Sequence, residues 1–122
     1  MTDFVSGAIL SAAALDAAFN QLTINAQTGT AYTLVFTDQG GMVTVTNAAA
    51  NTVSVPLNAT AAFPIGTAIV VASLGAGQCT IVAVSGVTVN ATPGLKVRAQ
   101  FSAATLIKTA TNVWLAVGDL SA

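Results

Sequence analysis

The sequence has no histidine and no glutamate, and charge of either sign is scarce: 3 Lys or Arg and 4 Asp in 122 residues, for a net charge of −1. Cysteine occurs once, at Cys79. These absences remove most catalytic chemistry. General acid–base catalysis draws on His or on paired carboxylates. A zinc site needs several His, Cys or carboxylate ligands, and one Cys without His cannot fill four positions. A Ser or Cys nucleophile would lack its usual base. No enzymatic activity, cofactor or metal is therefore expected. The one catalytic pairing left to weigh is Asp38 with Asp119, as glycosidase carboxylates. Each lies within two residues of a Gly, and the plain account makes each a solvated turn residue.

The lack of charge also bears on partners. A net charge of −1 offers nothing to attract nucleic acid. Lys96 and Arg98 stand two apart, on one face of an expected strand, and read as a charged edge that discourages wrong pairing. Cys79 has no partner for an intramolecular disulfide and adjoins an apolar run, so a small buried thiol is expected. Asp3 stands where a secretory signal would carry Lys or Arg. Residues 39–95 contain no charge at all, yet Thr, Ser, Asn, Gly and Pro interrupt every window long enough for a membrane helix. With 7 aromatics, the chain also lacks the girdles of a membrane barrel.

What is abundant is Ala, Val and Thr: 54% of residues are hydrophobic and 6% charged, against roughly 25% charged in an average domain. The length suits one domain with an arm. The stretch 10–22 predicts a helix. Ser11 is a good N-cap, with Leu10 and Leu15 at the staple positions around it. Leu15, Phe19 and Leu22 fall at i, i+4 and i+7, a narrow apolar stripe. A helix this short is marginal alone, so it must pack on its own β-domain or on another subunit. Residues 1–23 thus read as an arm for attachment or trimerisation, with Leu10, Leu15, Phe19 and Leu22 as its partner-binding side chains.

From Ile24 the period becomes two, and residues 24–122 read as a β-domain. Tyr32, Leu34 and Phe36 alternate with Thr33 and Val35, and Val53, Val55 and Leu57 with Thr52 and Ser54. Further strands are predicted at 43–46, 68–73, 79–84, 87–90, 96–101, 104–109 and 113–117, rich in β-branched residues. Turn signals separate them, such as Gly75-Ala76-Gly77, Ser85-Gly86 and Thr111-Asn112, the last closing a hairpin. The expected fold is mainly β: an antiparallel β-sandwich, jelly-roll-like, or a small β-barrel, with a short N-terminal helix or arm. Trp114, the one Trp, reads as a core or interface anchor ahead of a sugar platform. Runs such as Val70-Val71-Ala72 and Ile81-Val82-Ala83-Val84 predict strands covered on both faces. One small core cannot cover them all, so subunits are expected to cover one another.

Several stretches resemble a small β-module of the structural proteins of tailed bacteriophages. They are residues 25–34 (NAQTGTAYTL), 47–56 (NAAANTVSVP), 63–67 (FPIGT), 74–78 (LGAGQ) and 114–120 (WLAVGDL), and residues 9–20 resemble the helical leader of phage tail and fibre proteins. The resemblance implies a virion component, a homotrimer, with no catalytic residue to carry over. Its modules occur in capsid decoration, cement and head-fibre proteins and in tail fibres. A small subunit without a shaft would suit capsid decoration or cement. Its partner would be the major capsid protein, or a tail or adapter protein in the alternative of a small tail-fibre or tail-tip protein. A non-viral adhesion module is a third reading. The expected location is the capsid exterior, with the tail as alternative.

Overall fold

A computed structural model describes residues 21–122. Leu10, Leu15 and Phe19, and most of the expected arm helix, lie outside the described residues. Its last two positions are within them: Gln21 and Leu22 belong to no helix, and Leu22 is exposed. The helix therefore does not run through Leu22 as the apolar spacing suggested.

The domain is mainly β. Eleven strands are described: β1 (Ile24–Gln27), β2 (Ala31–Thr33), β3 (Met42–Val45), β4 (Asn51–Val55), β5 (Ala68–Ser73), β6 (Cys79–Ala83), β7 (Thr88–Ala91), β8 (Lys96–Val97), β9 (Ala103–Ala110), β10 (Val113–Gly118) and β11 (Leu120–Ser121). They form a six-stranded sheet in the order β1-β3-β5-β9-β10-β7 and a five-stranded sheet in the order β11-β8-β6-β4-β2. The first six strands alternate between the sheets, odd in one and even in the other. Three coils of chain therefore stack in parallel, with β1, β3 and β5 paired in register on one side and β2, β4 and β6 on the other.

This corrects the expectation of an antiparallel fold. Among the described pairings five are parallel, including β7 with β10, and four antiparallel. The antiparallel ones close the fold, where β9 pairs with β5 and β10, and β8 with β6 and β11. Period-two alternation fixes which side chains face inward but not which strand lies alongside. Here the stacking of coils decides it. The turns after β1, β3 and β5 stack as well: Thr46 N–H donates to Gln27 O, Leu74 N–H to Val45 O, and Gly77 N–H to Asn47 O. A Cβ on Gly77 would run into the carbonyl of Ala49, and one on Gly75 into the Asn47 backbone. That close approach is why this turn is glycine-rich.

Strand ends follow local chemistry. Pro56 has no N–H to donate and ends β4. The expected strand through Phe36 stops at Thr33 and turns into a 3-10 turn over Phe36–Asp38, because the Asp38 carboxylate accepts the Val35 N–H at 2.9 Å. The expected strand 96–101 is only Lys96–Val97. Phe101 adopts a left-handed backbone, φ 69°, which a strand cannot contain. Nor is β8 an edge, since β11 covers it, so Lys96 and Arg98 are not the expected edge charges.

One apolar core unites the inner faces of both sheets, with Val43, Val45, Ile69, Val71 and Leu106 from one and Val53, Val55, Ile81 and Val97 from the other. Cys79 is buried in it, as expected, and burial pushes its thiol up to about 11. Trp114 is 1% exposed and meets Phe63 edge-on, ring centroids 5.5 Å apart. Such a Trp contributes packing area and no ligand platform.

Candidate functional site

Three polar clusters and two outer faces could carry function. The first cluster closes the inner end of the first coil. Asn25 and Gln27 are in register with buried Val43 and Val45, and Tyr32 with buried Val53, so all three point inward. Asp38 completes the group: its carboxylate accepts from Tyr32 Oη at 2.6 Å and from Asn25 Nδ2 at 2.9 Å, besides Val35 N–H. Gln27 Nε2 donates to Asn25 Oδ1 at 2.7 Å. Burial, then the hydrogen bond to Asp38 and its charge, push the Tyr32 phenol up to about 12. Asp38 is thus a buried, triply bonded acceptor and not the solvated turn residue expected. The network satisfies polar groups where the coil stack ends, which a solenoid end requires.

The second cluster centres on Lys108, which is 2% exposed. Its ammonium donates to Phe63 O at 2.8 Å and to Asn58 Oδ1. It ties the loop between β4 and β5 to β9. The third cluster is at the surface. Arg98 makes a bidentate pair with Asp119, Nε–Oδ1 2.6 Å and Nη2–Oδ2 2.8 Å, and Ser102 Oγ donates to Asp119 Oδ2 at 2.8 Å. The Arg98 hydrogen bonds, then that of Ser102, hold the Asp119 carboxyl below its ordinary range. This clamp joins the end of β8 in one sheet to the end of β10 in the other.

Asp38 and Asp119 are not brought together. Asp38 is bonded to Asn25 on β1, and Asp119 follows the last residue of β10, four strand positions away. Four spacings are roughly 19 Å, well beyond the separation of glycosidase carboxylates, which is at most ~9.5 Å. Among the described residues no three metal-ligating side chains converge, and no helix is long and apolar enough to cross a membrane.

The outer faces differ from each other. On the six-stranded sheet the register sets Ile24, Met42, Val70, Thr105 and Val117 in one outward row. Ala68, Ile107, Leu115 and Asn90 form the next, and Ala26, Thr44, Ala72 and Ala103 a third. None is ionisable. On the five-stranded sheet the outward rows are Ala31, Thr52, Thr80, Lys96 and Ser121, then Thr33, Ser54 and Val82. That face is hydroxyl-rich. Lys96 is the one charge that the described strands direct outward on either sheet.

Two open grooves flank the larger sheet. One, about 400 Å³, lies along the ends of β7 and β10 beside Thr92 and Val117; the other, about 520 Å³, lies between Gln39-Gly40 and the 64–68 loop. Neither holds a titratable side chain. Of the aromatics, Trp114 and Phe63 are buried and Tyr32 is tied into its network, whereas Phe101 is 76% exposed. The burial of Lys108 escaped the sequence reading, although the alternation Ala104, Leu106, Lys108 places it on the inward face. No known protein family, no curated protein and no solved structure matches this chain.

Proposed function

We propose that the protein is a structural component of a tailed-phage virion, a homotrimeric capsid decoration or cement protein that binds the major capsid protein on the capsid exterior and stabilises the coat lattice. The observation that supports this reading is the single outward charge, Lys96, across the strands of both sheets. A free soluble domain keeps charge on its strand faces to oppose association. A subunit that spends its life packed against copies and a shell has no such need, and its uncharged faces avoid the far larger cost of desolvating charges. In this reading the two sheets pack face to face as a sandwich whose first three coils are wound as a solenoid. The role is mechanical and takes no cofactor, metal or nucleic acid.

The alternative is a small tail-fibre or tail-tip protein that contacts a host surface or a tail adapter. Exposed Phe101 is the side chain that favours it, since an aromatic ring held out from a loop suits a sugar face. Counting copies on purified particles separates the two. Hundreds per particle, located on the head, are expected for decoration; a few per tail would support the alternative, and none on either would reject both.

A further inference from the structure

The outward face of the six-stranded sheet carries no ionisable group in three adjacent rows. Ile24, Leu115 and Val117 are exposed on it, and Met42, Val70 and Ile107 are partly so. The remaining positions are Ala, Thr and one Asn; Thr44 and Ala72 in the third row are already buried, so the open part of the face is the other two rows. The face of the five-stranded sheet is different: Thr52, Thr80, Ser54 and Thr33 present hydroxyls to water, and Lys96 a charge. Water is a good partner for the second face and a poor one for the first.

We infer that the outward face of the six-stranded sheet is the self-association surface, and that it packs against the same face of further copies of this chain. The proposal rests on the self-association in the reading above and not on its virion setting. Size supports a copy as the occupant. Six strands at ~4.8 Å spacing and about four residues of strand at ~3.3 Å each, the depth of the two open rows, give roughly 400 Å² in projection. Side-chain relief brings the accessible area towards the ~600 Å² per partner at the upper bound of the smaller protein interfaces. That matches the largest apolar patch of a typical monomer, ~300–600 Å², which is often a functional surface. Chemistry supports a copy too. An uncharged face meets its own image without like-charge repulsion. The β10 end of the face, with Leu115 and Val117 beside the 400 Å³ groove, leaves room for side chains of a neighbour.

Sedimentation of the purified chain at micromolar concentration tests this without any particle, so failure of the virion reading leaves the result intact. The wild-type chain should sediment as an oligomer. Val117→Glu, whose side chain is exposed and so burdens no monomer core, should weaken association at least tenfold while far-UV dichroism and Trp114 emission stay unchanged. Thr52→Glu, on the other sheet, should leave association as it is. Should Val117→Glu fail to fold, Leu115→Cys serves instead: mild oxidation should link copies through it, and Val82→Cys on the opposite face should not link them. A monomeric wild type would overturn the proposal, and so would a face protected within a monomer, which would assign its cover to residues 1–20. Dissociation by Thr52→Glu but not by Val117→Glu, or linkage through Val82→Cys but not Leu115→Cys, would place the contact on the other sheet.

Discussion

Lys108 crosses beneath its own sheet to place its ammonium 2.8 Å from the Phe63 carbonyl oxygen, with the Asn58 side chain as its second acceptor. The one ion pair among the described residues, Arg98 with Asp119, is elsewhere and exposed. The lysine therefore acts as a buried donor post for the 57–67 loop. Lys108→Met keeps the apolar stem and removes the donors. It leaves Phe63 O and Asn58 Oδ1 without their partner; the orphaned buried carbonyl costs about 1–3 kcal/mol, and the half-buried Asn58 side chain less. Removing a buried charge offsets part of that. The expected net loss is about 1–3 kcal/mol, read from urea denaturation followed by Trp114 fluorescence. An unchanged midpoint would show that the loop holds without the lysine.

Two glycines in the stacked turns should respond differently to the same change. A methyl at Gly77 meets the Ala49 carbonyl, which is backbone and cannot rotate away. Forcing the two turns apart should cost about 2 kcal/mol or more. At Gly29, in the first of the same turns, the nearest atom to a new Cβ is 4.0 Å away and φ is ordinary. Gly29→Ala should be neutral or stabilise by up to ~1 kcal/mol through the unfolded chain. Thermal unfolding of both variants checks the contrast. Equal losses would mean that the turns do not carry the stacking.

The strands were legible because their inward positions are almost unbroken: Val43 and Val45, Val53 and Val55, Ile69 and Val71 each mark a buried face, and period-two spacing reports that directly. Parallel stacking was not legible. Ile24 is in register with Met42, and Met42 with Val70, so successive coils differ in length and no fixed repeat announces a solenoid. The long returns, 34–41 and 56–67, absorb the difference. The polar clusters were half legible. Asp38 and Asp119 were visible as carboxylates near turns, but their donors, Tyr32, Asn25, Arg98 and Ser102, come from strands and loops that only the fold brings close. The outer faces were legible as uncharged, yet only the register separates the apolar one from the hydroxyl one.

Tyr32 is the only tyrosine, so phenolate absorbance reports it alone. Its phenol is pushed up to about 12 from an ordinary value of 10.0. The folded state therefore holds this proton more tightly than the unfolded chain does. The resulting stability is fully present below about pH 10 and is lost as pH rises towards about 12. Cys79, raised to about 11 from 9.0, acts with the same sign and begins to lose its contribution above about pH 9. The titration is best followed in a Cys79→Ala background. Asp38→Asn removes the carboxylate that disfavours the phenolate, so the Tyr32 titration should move down in pH. A midpoint near 10 in the unsubstituted chain would show that the phenol is not held in this network.

Phe101 combines three properties that rarely coincide in a residue kept for stability: a large apolar side chain, 76% exposure and a left-handed backbone at φ 69°. Its N–H donates to Ser73 O at 2.6 Å, so the backbone conformation is held by the end of β5 whatever the side chain. A non-glycine residue in that region costs about 1–2 kcal/mol, and glycine returns roughly 0.5–1 kcal/mol of this as lost chain entropy. Phe101→Gly should therefore leave stability unchanged or raise it by up to ~1 kcal/mol, measured by urea denaturation. If the ring is held out as a contact, the same variant should weaken attachment to particles or host surface while the fold gains. A clear loss of stability would mean instead that the ring packs on the domain and is not presented to a partner.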